Sequence, residues 1–169
     1  MYTTSTNSKK KQKQVARDWY QEEMWNCDSM DYLYEDAKMI GLHIEEINMD
    51  RPISCKGEFD NSAQDTAHKI VEEHGPQCKT HKTSKTFLEE RDKFMSAIKY
   101  DKNNDLVNEY EIEKLLNECN NQYLKSICED YLILFQQEQK HFDSNEFIDQ
   151  RIREANHKFR GNGKKFEEE

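Results

Sequence analysis

Glycine and proline are scarce: five glycines and two prolines in 169 residues leave little material for phosphate-cradling loops. No P-loop, nucleophile elbow or paired-histidine metalloprotease pattern occurs, so the familiar nucleotide-hydrolysing and acyl-transfer chemistries have no sequence support. No stretch approaches the ~18 consecutive apolar residues of a membrane-spanning helix. Cysteine is sparse and odd in number: Cys27, Cys55, Cys78, Cys119 and Cys128 have no regular spacing, and no signal peptide is recognisable before them. A disulfide scaffold is therefore not expected, and free thiols in a reducing, cytoplasmic setting are. Apolar residues make up only 34% of the chain, a composition that leans toward disorder, yet 18 aromatics spaced along amphipathic segments argue for a folded protein.

What the chain has in abundance is charge of unequal sign. Residues 15–157 hold 31 Asp and Glu against 17 Lys and Arg, a net −14, whereas the four charged residues before Val15 (Lys9, Lys10, Lys11, Lys13) are all basic. An acidic body repels nucleic-acid phosphates and anionic membranes, and suits the basic groove of a protein that handles nucleic acid. The expected partner is therefore a protein, with no direct nucleic-acid or membrane binding.

The apolar pattern predicts a helix-dominated α+β fold: a single domain over 14–160, with a flexible basic tail at 1–13 and a disordered tail at 161–169. Val15, Trp19, Met30, Leu33, Tyr34, Ala37 and Ile40 keep the helical period up to Gly41, with a kink or a break expected around Asp28 and Asp31. After Gly41 the period drops to two. Leu42, Ile44, Ile47 and Met49, then Ile53, Cys55, Gly57 and Phe59, predict a β-hairpin with a bulge where alternation slips between Ile44 and Ile47. Two strands are marginal alone, so helices must cover one face. Ser62 with Asp65 opens a third helical segment ending at Gly75. A loop to Thr83 follows, then a helix through Phe87 and Ile98, a long one from Tyr110 to Phe135, and a last one capped by Asp143 with Glu146.

Three constellations could carry chemistry. Cys55, His74, Cys78 and His81 offer ligand types that suit zinc, but their spacing fits no common finger, so unliganded loop residues and a core thiol at Cys55 are expected, with no cofactor. Carboxylate pairs such as Glu45 and Glu46 are expected as solvated faces, and the protein as a non-enzyme. For partner binding, Trp25, Asp28, Asp31, Tyr32 and Glu35 are the candidates, because aromatics beside charge dominate interface energetics. Trp19 and Tyr20 could anchor a partner in the same way as Trp25, but all three, at helical spacing next to apolar residues, are more often core.

Two stretches resemble a family of small bacteriophage and prophage accessory proteins. The first, residues 16–75, includes Ala16, Arg17, Asp18, Trp19 and Tyr20, then 34–44, then Cys55, Lys56, Gly57, Glu58 and Phe59. The second, 123–166, includes Asp143, Ser144, Asn145, Glu146 and the run 154–159. Family members carry a Tyr-, His-, Ser- and Gly-rich second hairpin where this chain has helical 87–123, and an acidic residue where Lys158 stands. The resemblance implies origin and rough fold, and brings no activity that could be assigned to residues here. With the acidic body, it leads to the expectation of a host-directed inhibitor of anti-CRISPR or anti-restriction type, cytoplasmic in the infected bacterium. The alternatives are an antitoxin-like or regulatory binding module and a metal-dependent enzyme using the Cys/His set.

Asp101, Asn103 and Asp105, followed by Glu111, follow an EF-hand calcium loop with one residue missing. The sixth position holds Leu106 instead of the turn-forming Gly, and the twelfth holds Ile112 instead of the bidentate Glu. A polar interhelical turn is expected. An intact site would raise stability by about 2.7 kcal/mol at a hundredfold excess of calcium over its dissociation constant. The expected result is an unchanged melting temperature in millimolar calcium and in EDTA.

Overall fold

The computed structural model describes residues 5–24, 30–99 and 107–159. Over these the order is α1 (Ser5–Met24), α2 (Asp31–Met39), β1 (Leu42–Asn48), β2 (Ser54–Phe59), α3 (Ala63–Glu73), α4 (Lys79–Ala97), α5 (Glu109–Phe142) and α6 (Asn145–Glu154). The protein is helix-dominated α+β, with a two-stranded antiparallel sheet packed on helices. It divides into two compact units, Met30–Gln136 and the combination of Met1–Ser29 with Gln137–Glu169. Helix α1 ends at Met24 and α2 begins at Asp31, so two helices stand where the kink or break around Asp28 and Asp31 is expected.

Within Met30–Gln136 each element donates one apolar face to a shared core. Leu33 and Ala37 of α2, Leu42 and Ile44 of β1, Ala63, Ala67 and Ile70 of α3, Phe87 of α4, and Tyr123, Ile127, Tyr131 and Phe135 of α5 are all buried. Gly41 turns α2 into β1. It sits at φ +83°, the left-handed region that glycine enters without steric cost. Its N–H donates to the Lys38 carbonyl, and its own carbonyl accepts from Asp60 N–H and the Thr66 hydroxyl. The strands pair from Leu42↔Phe59 to Asn48↔Ser54 with the expected irregularity between Ile44 and Glu46. There the chain needs Gly57, because a Cβ at that position would lie 2.5 Å from the His43 carbonyl oxygen. Tyr123 is sandwiched between two rings, Phe87 at 4.1 Å and Phe59 at 5.6 Å, and its hydroxyl bonds Ser84 Oγ at 2.7 Å.

In the other unit α1 packs on α6, clasped by two bonds of 2.7 Å from Arg17 Nε and Nη2 to the Asp149 carboxylate. This guanidinium holds the Asp149 carboxyl below its usual range. Trp19 packs edge-on against His157 and Phe159 within this unit.

Four boundaries differ from expectation for local reasons. Residues 5–13, expected as a flexible tail, are helical: Lys and Gln propagate α1 well without any apolar face. Helix α4 begins at Lys79 rather than after Thr83, because the turn closed by Cys78 N–H on the Gly75 carbonyl launches it directly. Ser144, not Asp143, caps α6: its Oγ accepts from Phe147 N–H, while Asp143 N–H still bonds Gln139 in the helical manner. Helix α2 starts from Met30 without a side-chain cap, and Asp28 lies outside the described residues, as do 160–169.

The ring stack makes a graded prediction. Phe87→Ala, at a buried site, should cost about 3–5 kcal/mol. Phe59→Ala, at a half-buried one, should cost about 2 kcal/mol. Urea denaturation should show both as lowered midpoints with the ordering preserved.

Candidate protein-binding surface

Helix α2 is nine residues long and two-faced. Leu33, Ala37 and the C-capping Ile40 turn inward, which leaves Asp31, Glu35 and Met39 outward, flanked by Tyr32 and Tyr34. Met39 is 71% exposed and Tyr32 47%. Tyr34 is positioned by an edge-to-face contact with Phe135 at 4.9 Å. Of the five partner-binding candidates, Asp31, Tyr32 and Glu35 share this exposed acidic and aromatic surface; Trp25 and Asp28 lie outside the described residues.

What holds α2 in place is a polar knot beneath it. The buried Tyr131 hydroxyl donates to Asp36 Oδ2 at 2.6 Å. His74, at the end of α3, brings Nε2 to 3.6 Å from the same oxygen, too long for a hydrogen bond but an ion pair whenever the imidazole is protonated. Its Nδ1 bonds Thr80 Oγ1 at 2.7 Å. His74 and then the Tyr131 O–H hold the Asp36 carboxyl below its usual range. Burial first, and then Asp36, push the Tyr131 phenol upward. Tyr123 is pushed up to about 12, chiefly by burial.

The four metal candidates have separate engagements. His81 Nδ1 contacts the His74 carbonyl at 2.9 Å, so these two histidines are neighbours through backbone. Exposed Cys78 is the N-cap residue of α4, and half-buried Cys55 packs against the core cluster as a free thiol. Among the described residues no group of three or more His, Cys, Asp or Glu side chains could hold a metal ion. The segment 101–106 of the calcium-loop pattern lies outside the described residues; Glu111 is in the first turn of α5.

Sequence reasoning missed a groove of about 640 Å³ between α4 and α5, lined by Lys79, Thr83, Phe87, Tyr123 and Asp130 among others. Its buried Asp130 accepts from Thr83 at 2.6 Å and pairs with Lys79 at 2.9 Å, so the carboxylate is satisfied by its own walls.

No family model, curated protein or solved structure matches the chain. The functional reading therefore rests on the surface itself. Among the described residues no helix is long and apolar enough to cross a membrane.

The knot beneath α2 has a pH signature. Because the Asp36 pKa is depressed on folding, its contribution to stability is fully present above the unfolded value of about 3.9 and is lost as pH falls through the lower folded value. Tyr131→Phe removes one bond to a charged acceptor and should destabilise by about 1.5–3 kcal/mol. Denaturation midpoints measured from pH 7 down to pH 2 should show a shallower acid loss for that variant than for the native chain.

Proposed function

We infer that the protein acts by binding another protein, and that its acidic α2 face engages a basic groove of the kind that handles nucleic acid. The observation that carries this reading is the exposed set Asp31, Tyr32, Glu35 and Met39 on a short helix anchored from below. Carboxylates steer association with a cationic surface, and the flanking Tyr and Met supply contact area that charge alone does not. The chemistry at hand favours binding over turnover: Asp36, His74 and Tyr131, the groups best suited to proton transfer, are turned on one another beneath that face. The resemblance over 16–75 and 123–166 suggests the setting. In that setting the protein is a phage-type accessory factor that inhibits a host defence system directed at nucleic acid, its acidic face competing with nucleic acid for the groove.

Capture from bacterial lysate, with proteins identified by mass spectrometry, should yield a basic nucleic-acid-handling protein from native chain and not from Asp31→Lys/Glu35→Lys. With the captured partner, association should slow steeply as salt rises, because charge steering is screened beyond ~8–10 Å at ordinary ionic strength. The double charge reversal should slow association by about tenfold at low salt. An association rate indifferent to salt and to the reversal would overturn the electrostatic reading.

A further inference from the structure

The groove between α4 and α5 is large enough for a small molecule and holds a buried charge at one end. Its volume of about 640 Å³ falls within the range of ligand pockets, and the stacked, buried rings of Phe87 and Tyr123 line it. Asp130 on α5 is 3% exposed. A carboxylate removed from water requires partners, and its two are unequal. Half-buried Thr83 donates from Oγ1 to Oδ2 at 2.6 Å. On Oδ1 stands the Lys79 ammonium at 2.9 Å, carried by a side chain that is 61% exposed. Lys79 is therefore a flexible occupant that can swing into water, and its ammonium marks where another fits. Two turns of α4 beyond Thr83, roughly 10 Å along the axis, Glu90 lines the other end of the same groove. Between the two carboxylates lie the Thr86 and Ser126 hydroxyls. That of Thr86 donates to the Lys82 carbonyl, which leaves its oxygen as an acceptor. With Lys79 withdrawn, the lining sets Asp130, Glu90 and Glu129 against Lys82 alone.

We propose that this groove binds a linear aliphatic polyamine, one ammonium resting on Asp130 in place of Lys79 and a second on Glu90. An ammonium only donates, and the groove presents acceptors to it: a carboxylate at either end and hydroxyl oxygens between. The methylenes that link the two ammoniums lie along Phe87 and Tyr123, where an alkyl stem leaves water while its charged ends stay paired. Binding exchanges one ion pair for two, because Lys79 Nζ passes into water as the ligand's ammonium arrives. An anion drawn by Lys79 and Lys82 would meet the Asp130 carboxylate, and a neutral ligand would displace Lys79 without replacing its charge. A monoamine reaches Asp130 and leaves Glu90 untouched, so affinity rises with the second ammonium. The groove shares no residue with the outward α2 face and does not depend on the reading of that face.

The test titrates the full chain with spermidine, putrescine and butylamine by isothermal titration calorimetry at constant ionic strength, with magnesium chloride as the control for general attraction to an acidic protein. The expected result is a single site, tightest for spermidine and weakest for butylamine, with no comparable binding of magnesium. Lys79→Ala removes the internal competitor and should tighten all three amines severalfold, which a lysine with a purely structural role would not do. Glu90→Gln, at an exposed position, should weaken spermidine severalfold and leave butylamine unchanged. Asp130→Asn should weaken every amine by about tenfold or more, with the fold checked by circular dichroism. Because Asp130 is buried and its replacement risks misfolding, the Lys79 and Glu90 variants decide the matter on their own. Magnesium binding as tight as spermidine, amine affinities unmoved or lowered by Lys79→Ala, or an equal effect of Glu90→Gln on butylamine and spermidine would each overturn the proposal.

Discussion

Tyr131 sets the conditions under which the Met30–Gln136 unit packs. Among the described residues it is the largest fully buried side chain, and a buried phenol must find a partner for its O–H. That partner is Asp36, a carboxylate at the edge of α2 with its charge still partly in water. One bond therefore fixes both the depth of α5 in the core and the rotation of α2 about its axis. The rotation in turn decides which α2 residues face out. His74 adds the end of α3 to the same carboxylate and reaches α4 through Thr80, so four helices refer their positions to one polar centre.

Such a centre suits a chain poor in apolar residues. With few large side chains to spend, the core relies on rings stacked on Tyr123 and on hydrogen-bonded hydroxyls that would be costly to bury unpaired. The acidic excess lies outside it, on surfaces where water screens like charges and the folded state tolerates them. Charge can thus be shaped by the needs of recognition without disturbing what holds the fold.

Elements announced by local signals were legible in the sequence. The hairpin follows from the change of period at Gly41, its bulge from the slip after Ile44, and the start of α3 from Ser62 and Asp65, whose cap bonds form as expected. Boundaries set by competition between neighbouring polar groups or by a turn were not: Ser144 outcompetes Asp143, and α4 starts directly from the turn that Cys78 N–H closes on the Gly75 carbonyl. The outward placement of Asp31, Tyr32 and Glu35 accompanies the burial of Leu33 and Ala37 on the same helix. The knot beneath them was not legible, since nothing local in a sequence pairs Asp36 with Tyr131. That contact exists only once α2 and α5 share a core.

The brevity of α2 has a consequence of its own. Helices shorter than about 12–15 residues do not persist in water unaided, and α2 begins without a side-chain cap. Its outer face therefore has no existence as a peptide; it is a property of the folded unit and lasts as long as the core beneath it stays closed. Whatever grips that face grips the closed form only. Occupancy and resistance to unfolding thus rise together, and an unfolding event that releases Tyr131 erases the recognition surface in the same step.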